Sequence, residues 1–449
     1  MAETGGQTVS TGDYTKRGLA HLWLQTQSLD ELSKEGQYSV ITGGDGIYLH
    51  DSDGRRYIDA MSGLWVVAVG HGREELADVA REQMKQLAFA NPFVYSTPSA
   101  IDLATKIAEL APGDITRAFF VNGGSEAVDT ALRMAKQWQY NRGETKRFKV
   151  ISRIGSYHGT TYAALSVNNS KGMNRVPFEP LMPGALKASG EVETLDGLKL
   201  LEETIAAENP ATIAAFIAEP ISTSNGSHMP HPDYWPTLRR ICDENGIVLI
   251  ADEVINAFGR TGKWFAMEHF GVTPDLMTVA KQLSSGYAPI AAVLASEKMA
   301  EGFRGDRKKA FMGGTTFGAN PVSCAVALAN LGIIERENLV DNADRTGRYL
   351  AEQLTELKSR HPSVAGVRGV GLMHAIDLMR DPAAGVEFTD DDGLRDRMPK
   401  LLTENGLLMR AGASIQVAPP LIINREEVDE LVDGIDRAIG QLEVDLKLA

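Results

Sequence analysis

The sequence predicts an α/β protein, with a large three-layer domain around a mainly parallel sheet and a small α/β domain built from both chain ends. Three observations carry that prediction. From about residue 100 to 330, short apolar runs rich in β-branched residues alternate with helical stretches, the pattern of a parallel sheet covered on both faces. The run at 247–251 meets Asp252 at its C-terminal end, and the run at 276–280 meets Lys281, so two opposite charges sit just past buried strands. After about residue 335 the pattern changes to long polar helices and short, scattered strands. The expected division is 1–74 as an N-terminal segment of the small domain, 75–330 as the large domain and 331–449 as the C-terminal part of the small domain.

Residues 1–18 are polar and read as mobile chain. Between 19 and 33, Leu22, Trp23, Leu24, Leu29 and Leu32 make a mixed apolar segment suited to docking on another surface. GIYLHDSDGRRYIDA alternates on both sides of Asp53-Gly54, a common turn pair, and predicts a hairpin. MSGLWVVAVGHG runs from apolar residues into glycines, and 73–88 places Leu76, Val79, Ala80 and Leu87 on one side of a helix. Strands are expected at 118–121, 149–154, 213–218, 247–251 and 276–280, with 290–294 returning. Helices are expected at 99–110, 125–140, 194–208, 232–245 and 319–335. Beyond these lie a polar helix at 339–360, GVRGVGLMHAIDL, a helix near 391–405, the strand-like LLMRAG and SIQVAP, and a last helix over 425–446.

Composition narrows the function classes. At 449 residues, 43% hydrophobic and 23% charged, the chain is an ordinary globular protein rather than a disordered or fibrous one. A net charge of −14 disfavours nucleic acid and anionic membrane as partners, so an anionic ligand would need local positive features. The most continuous apolar stretch, near 288–295, is too short to span a bilayer, and the polar first residues lack the apolar core of a secretory signal. Cys242 and Cys324 are too few for a disulfide framework and read as buried small apolar residues, which fits a reducing cytoplasm.

Ligands of open α/β sheets bind at the C-terminal ends of the strands. An amine and a carboxylate placed there fit pyridoxal 5′-phosphate, which joins a lysine as a Schiff base and needs a carboxylate to keep its pyridine nitrogen protonated. From spacing alone, Asp252 and Lys281 are as well read as strand-end charges facing solvent. Asn122-Gly123-Gly124-Ser125 lies between a strand and a helix, where glycines admit an anion to free N–H groups; plain capping by Ser125 is the other reading. Tyr157 in SYHGTT follows a strand and could stack on a flat ring, while His158 reads as a hydrogen-bonded structural histidine with no second ligand at metal spacing. GGTTFGANP could bring Thr316 to a phosphate, or be a Gly-rich loop with proline at a helix start. Arg410 in LLMRAG invites a carboxylate, from a ligand or from a structural salt bridge.

Together NGGSEAVDTALRMA, SYHGTTYAALS, AEPI, LIADEVINAFGRTG, TVAKQLSSGYAPIAAVLAS, TTFGANP and VAPPLII resemble the class III aminotransferases, fold type I pyridoxal-phosphate enzymes. The resemblance runs from about residue 35 to the C-terminus. It implies that 75–330 is the cofactor-binding domain, with Lys281 as the Schiff-base lysine and Asp252 as the pyridinium partner. It further implies Tyr157 and Val254 on opposite ring faces, His158 and Glu219 beside the cofactor, Gly124 and Ser125 at the phosphate, and Thr316 reaching the phosphate from a neighbouring subunit. That last match implies a homodimer with shared active sites, or a tetramer. MSGLWVV resembles the amine:pyruvate, or ω-amine, branch, where Leu64 and Trp65 would line the pocket and Arg410 would bind the acceptor carboxylate. In the ornithine and γ-aminobutyrate branches a glutamate lies five residues beyond the glutamate of the Glu-Pro pair; here the pair is Glu219-Pro220 and that residue is Ser224, so the chain resembles the pyruvate users more than the 2-oxoglutarate users. The implied reaction is ping-pong transfer from an amine to pyruvate, giving L-alanine. Aminomutases, racemases and decarboxylases share the cofactor residues, and a non-catalytic cofactor-binding protein is the alternative from another class.

Overall fold

The structure, a computed structural model, describes residues 11–26, 28, 30, 39–170, 173–223 and 226–448. Three strands open the ordered fold: β1 (Ile41–Asp45), β2 (Tyr48–Asp51) and β3 (Arg56–Asp59). β2 and β3 are the hairpin expected around Asp53-Gly54, and Gly54 takes φ +80°, a left-handed value that glycine adopts without steric cost. Leu407–Leu408 joins β3 in parallel, so the two chain ends share one sheet.

Seven strands make the large sheet: β4 (Ile115–Val121), β5 (Lys149–Arg153), β6 (Ala185–Ala188), β7 (Ile213–Ala218), β8 (Val248–Asp252), β9 (Leu276–Val279) and β10 (Ala291–Ser296). Their spatial order is β4-β10-β9-β8-β7-β5-β6, and only β10 runs against its neighbours. Both faces are apolar. Ala215 and Ile217 of β7 pack beneath the helix Gly124–Asn141, with Val128, Leu132 and Trp138. Phe216 and Ala218 point the other way, into a core shared with Leu103, Ile107, Trp235 and Leu238 of the helices Pro98–Leu110 and Tyr234–Asn245. Strand residues therefore alternate between two buried layers, which is why these strands read as unbroken apolar runs. A third sheet pairs β11 (Val364–Val370), β12 (Met373–Leu378) and Ser414–Val417.

Several elements differ from the expectation. β4 begins at Ile115, ahead of residue 118: it is an edge strand, so Thr116 and Arg117 face outward without cost. β6 escaped the sequence pattern because ALKA is only four residues long and carries a lysine. Residues 11–18, expected as mobile chain, belong to the helix Thr11–His21, while residues 1–10 lie outside the described residues. In the expected docking segment, Leu22 and Trp23 are exposed, and Leu29 and Leu32 lie outside the described residues. Cys242 and Cys324 are both free and buried. No described helix is long and apolar enough to cross a membrane.

Candidate active site

The C-terminal ends of five strands converge. Asn122 follows β4, Tyr157 and His158 follow β5, Glu219 follows β7, Asp252 ends β8, and Lys281 lies just past β9. Register fixes the neighbourhood: Ala218 is paired with Ala251, and Asp252 with Thr278. Sheet pairing thus lays Glu219 beside Asp252, and Lys281 follows two residues after the end of the neighbouring strand.

Asp252 is 5% exposed and held from three directions. The Thr278 hydroxyl donates to its Oδ1 at 2.8 Å, the Val254 N–H to the same oxygen at 3.2 Å, and His158 Nδ1 lies 2.7 Å from Oδ2. The outer nitrogen of His158, Nε2, is buried without a partner among the described residues. Lys281 sits at φ +45°, a strained value for a residue with a Cβ. Part of its surface is open, yet the amine is enclosed deeply enough that burial pushes its pKa down to about 8, against the pull of Asp252 and Glu219. Glu219 accepts from the Tyr157 N–H at 3.2 Å and the Thr223 N–H at 3.1 Å, and its burial raises its pKa. Burial likewise raises that of Tyr157, with the Arg410 charge opposing.

The helix Gly124–Asn141 starts from Gly123 with no side-chain cap, so the capping reading of Ser125 is corrected. The Ser125 hydroxyl instead accepts from the Thr160 N–H at 3.1 Å, and its N–H belongs to the free first turn. A Cβ on Gly124 would lie 2.9 Å from Val254, whereas one on Gly123 would meet open space. Gly159, at φ +120°, leaves room for Ser125, whose Oγ a Cβ there would meet at 2.4 Å.

Trp65 is buried with its ring centroid 5.7 Å from Lys281 Nζ, so the predicted pocket residue does reach the amine. Leu64 is 47% exposed and no described contact ties it to Lys281. Arg410 makes no ion pair among the described residues, against the salt-bridge reading, and its charge acts on both Tyr157 and Lys281. Thr316 is exposed, beside a Thr315 hydroxyl that accepts from Asn122 Nδ2 at 3.2 Å. Asn320 caps the following helix, with Pro321 at its first position. Ser224 lies outside the described residues.

The family model of class III aminotransferases matches residues 32–439. The chain is a class III aminotransferase. A putrescine–pyruvate aminotransferase of Pseudomonas aeruginosa is 37% identical over 426 residues, 92% of each chain. A diaminobutyrate–2-oxoglutarate transaminase of Halomonas elongata is 37% identical over 423 residues, 90% of each. The structure of a thermostable (S)-enantioselective omega-transaminase from Thermomicrobium roseum superposes with a TM-score of 0.92 at 37% identity, covering 97% of this chain and all of that one (100%).

Class III aminotransferases use pyridoxal 5′-phosphate, and the residues here fit that group. A free helix N-terminus faces open space at Gly123, a buried carboxylate is fixed at one strand end, and an enclosed amine at the next. Two supporting residues escaped the sequence reading. Thr278 contacts Asp252 through strand register, which no linear pattern displays. Arg153, fully buried, donates from Nη2 to the Glu219 carbonyl at 2.7 Å; its signal was an arginine within the expected strand 149–154.

The amine of this aminotransferase attacks an aldehyde only when neutral. With its pKa lowered from 10.5 to about 8, the rate at which cofactor-free protein captures added pyridoxal phosphate should rise with pH and level off above about 8. Stopped-flow absorbance across the pH range checks this; a midpoint near the ordinary lysine value would show that the amine is not enclosed.

Proposed function

We propose that this aminotransferase moves the amino group of a primary amine or ω-amino acid to pyruvate in alternating half-reactions, releasing a ketone or aldehyde and then L-alanine. The observation that carries this reading is Arg410, an unpaired cation among the described residues beside a wall formed by Trp65 and its apolar neighbours Met61, Ile255 and Met409. One guanidinium serves one carboxylate. A second carboxylate would need a partner of its own, because an unpaired buried charge is costly. The relatives do not decide the acceptor, since the names of two equally similar ones specify pyruvate and 2-oxoglutarate.

In this reading the Gly124 and Ser125 N–H groups bind the phosphate, with Thr316 of a neighbouring subunit. Tyr157 and Val254 take the two ring faces, and Asp252 meets the ring nitrogen. His158 and Glu219 stand behind Asp252 and Tyr157, and Arg410 draws in the acceptor carboxylate, with Leu64 at the pocket rim. Bound pyridoxal phosphate supplies an aldehyde that captures the amine and a ring that stores the electron pair of the broken C–H bond. Lys281 Nζ would take the proton from the amine-bearing carbon and place it on the former aldehyde carbon of the cofactor, and in the second half-reaction would carry a proton the opposite way, onto the carbon that becomes Cα of alanine. The enclosed wall at Trp65 keeps water away from that proton. A second copy of the chain is supported by exposed Phe89, Phe93, Val94, Tyr95, Met312 and Phe317, an apolar face in which Phe89 and Phe317 are in ring contact at 6.2 Å.

The test is Arg410→Ala, with the two half-reactions followed separately by cofactor absorbance. The pyruvate half should weaken roughly tenfold, the low end for a charged hydrogen bond because Arg410 keeps contact with solvent, while a carboxylate-free amine should react as before. Equal loss in both halves would make Arg410 structural, and wild-type use of 2-oxoglutarate equal to pyruvate would overturn the acceptor assignment.

A further inference from the structure

The chain between β3 and the first glycines is held in a backbone form that its residues do not favour. Ser62, Gly63 and Trp65 have φ of +49°, +65° and +55°, and only one of the three is glycine. Left-handed φ in serine and tryptophan persists only where the surroundings impose it. Inside the turn, the Trp65 N–H donates to the Met61 carbonyl at 2.8 Å and the Val66 N–H to that of Ser62 at 2.9 Å. These bonds close the turn but do not fix it to the body of the protein.

Two buried side chains do. Both carboxylate oxygens of Asp59, 1% exposed, accept from the Gly63 N–H at 2.7 Å, and His71 Nε2 lies 2.8 Å from Asp59 Oδ2 on the other side. The Ser62 hydroxyl donates to the Ala418 carbonyl at 2.7 Å and accepts from Arg260 Nη2 at 3.0 Å. Arg260, fully buried, spends Nη1 on the carbonyls of Leu372 at 2.9 Å and Pro419 at 2.5 Å. Among the described residues neither Asp59 nor Ser62 hydrogen-bonds to Lys281, and both hold the turn that sets Trp65 against its amine.

We propose that Asp59 and Ser62, the latter through Arg260, are positioning residues that set the size of amine the enzyme accepts by fixing the Ser62–Trp65 turn. This rests on the reading of Trp65 as a wall of the substrate pocket. With either clamp gone, the turn relaxes toward ordinary backbone, the indole leaves its place over Lys281, and the site widens. Small amines then lose their fit and bulky ones gain entry. Asp59→Asn keeps one carbonyl oxygen for the Gly63 N–H but puts an amide nitrogen where the second oxygen accepted, so it should preserve part of what alanine removes.

The experiment compares holoenzyme Asp59→Ala, Asp59→Asn and Ser62→Ala with the parent on aliphatic, single-ring and two-ring amines, using one acceptor throughout and separating kcat from KM. The ratio of kcat/KM for bulky over small amines should rise roughly tenfold in both alanine variants, mainly through KM, since small displacements at a positioned site carry effects of this order or larger. Asp59→Asn should fall between the parent and Asp59→Ala. In a Trp65→Ala background, where there is no indole left to place, the same substitutions should leave the ratio unchanged. If Trp65→Ala changes amine preference but the clamp variants slow all amines equally, the positioning role is wrong and the pocket reading stands. If Trp65→Ala itself leaves preference unchanged, both fall. Should Asp59→Ala fail to fold, Ser62→Ala, which removes one hydroxyl, decides the matter alone.

Discussion

Lys281→Ala should fold, bind pyridoxal phosphate without a covalent bond, and turn over at least about a thousandfold more slowly, within the range by which a positioned general acid–base accelerates a reaction. Under the proposed mechanism two losses combine in that variant: the amine that would move the proton and the nucleophile that would capture the cofactor. Folding should not suffer, because the residue removed is an amine whose charged form burial already opposes. The measurement is initial rate with the best amine, alongside borohydride reduction and peptide mapping of the parent. Label on another lysine, or a variant within tenfold of the parent, would remove Lys281 from the mechanism.

Asp252→Asn should retain the cofactor yet slow proton removal at least about a hundredfold, since a preorganised charge at a developing transition state is worth several kcal/mol. The substitution is nearly isosteric. An amide oxygen at the Oδ1 position can still accept from Thr278 and Val254, so the site keeps its shape and loses its charge. That separation makes the result interpretable. A single-turnover experiment with amine alone isolates the step; near-normal rates would reduce Asp252 to a strand-end acid with no part in the chemistry.

How much of this was legible in the sequence follows from the physics of each part. Strands of a parallel sheet buried on both faces leave apolar runs, and charged residues at their ends stand out, so the strand-end positions of Asp252 and Lys281 could be read directly. The helices at 339–360 and 425–446 have the bounds expected, because each carries an amphipathic period over many turns and the second starts from a capping box, Asn424 with Glu427. What failed to show was contact across the sheet. Residue by residue, His158 read as a structural histidine, and only the fold reveals that its bond is to Asp252. Thr278 was hidden for the same reason. Ser125 stood open between a cap and an anion contact, and only the helix start at Gly124 removes the cap. The short β6 and the polar helix Thr11–His21 lacked a pattern long enough to register.

The strand that runs against the others, β10, carries no residue of the proposed site, yet it alone joins β4 to β9. The phosphate side of the site follows β4 and the amine side follows β9, and β10 comes after both in the chain. Gly124 already meets the later strands through its helix, since a Cβ there would lie 2.9 Å from Val254 and 3.7 Å from Ala280. What 291–296 adds is the sheet pairing that joins β4 to β9, a closure across long sequence distance. A nascent chain ending before that strand would contain the whole set from Gly124 to Lys281 with β4 still unpaired in the sheet, so the two sides of the proposed site would be linked by helix packing alone until β10 arrives.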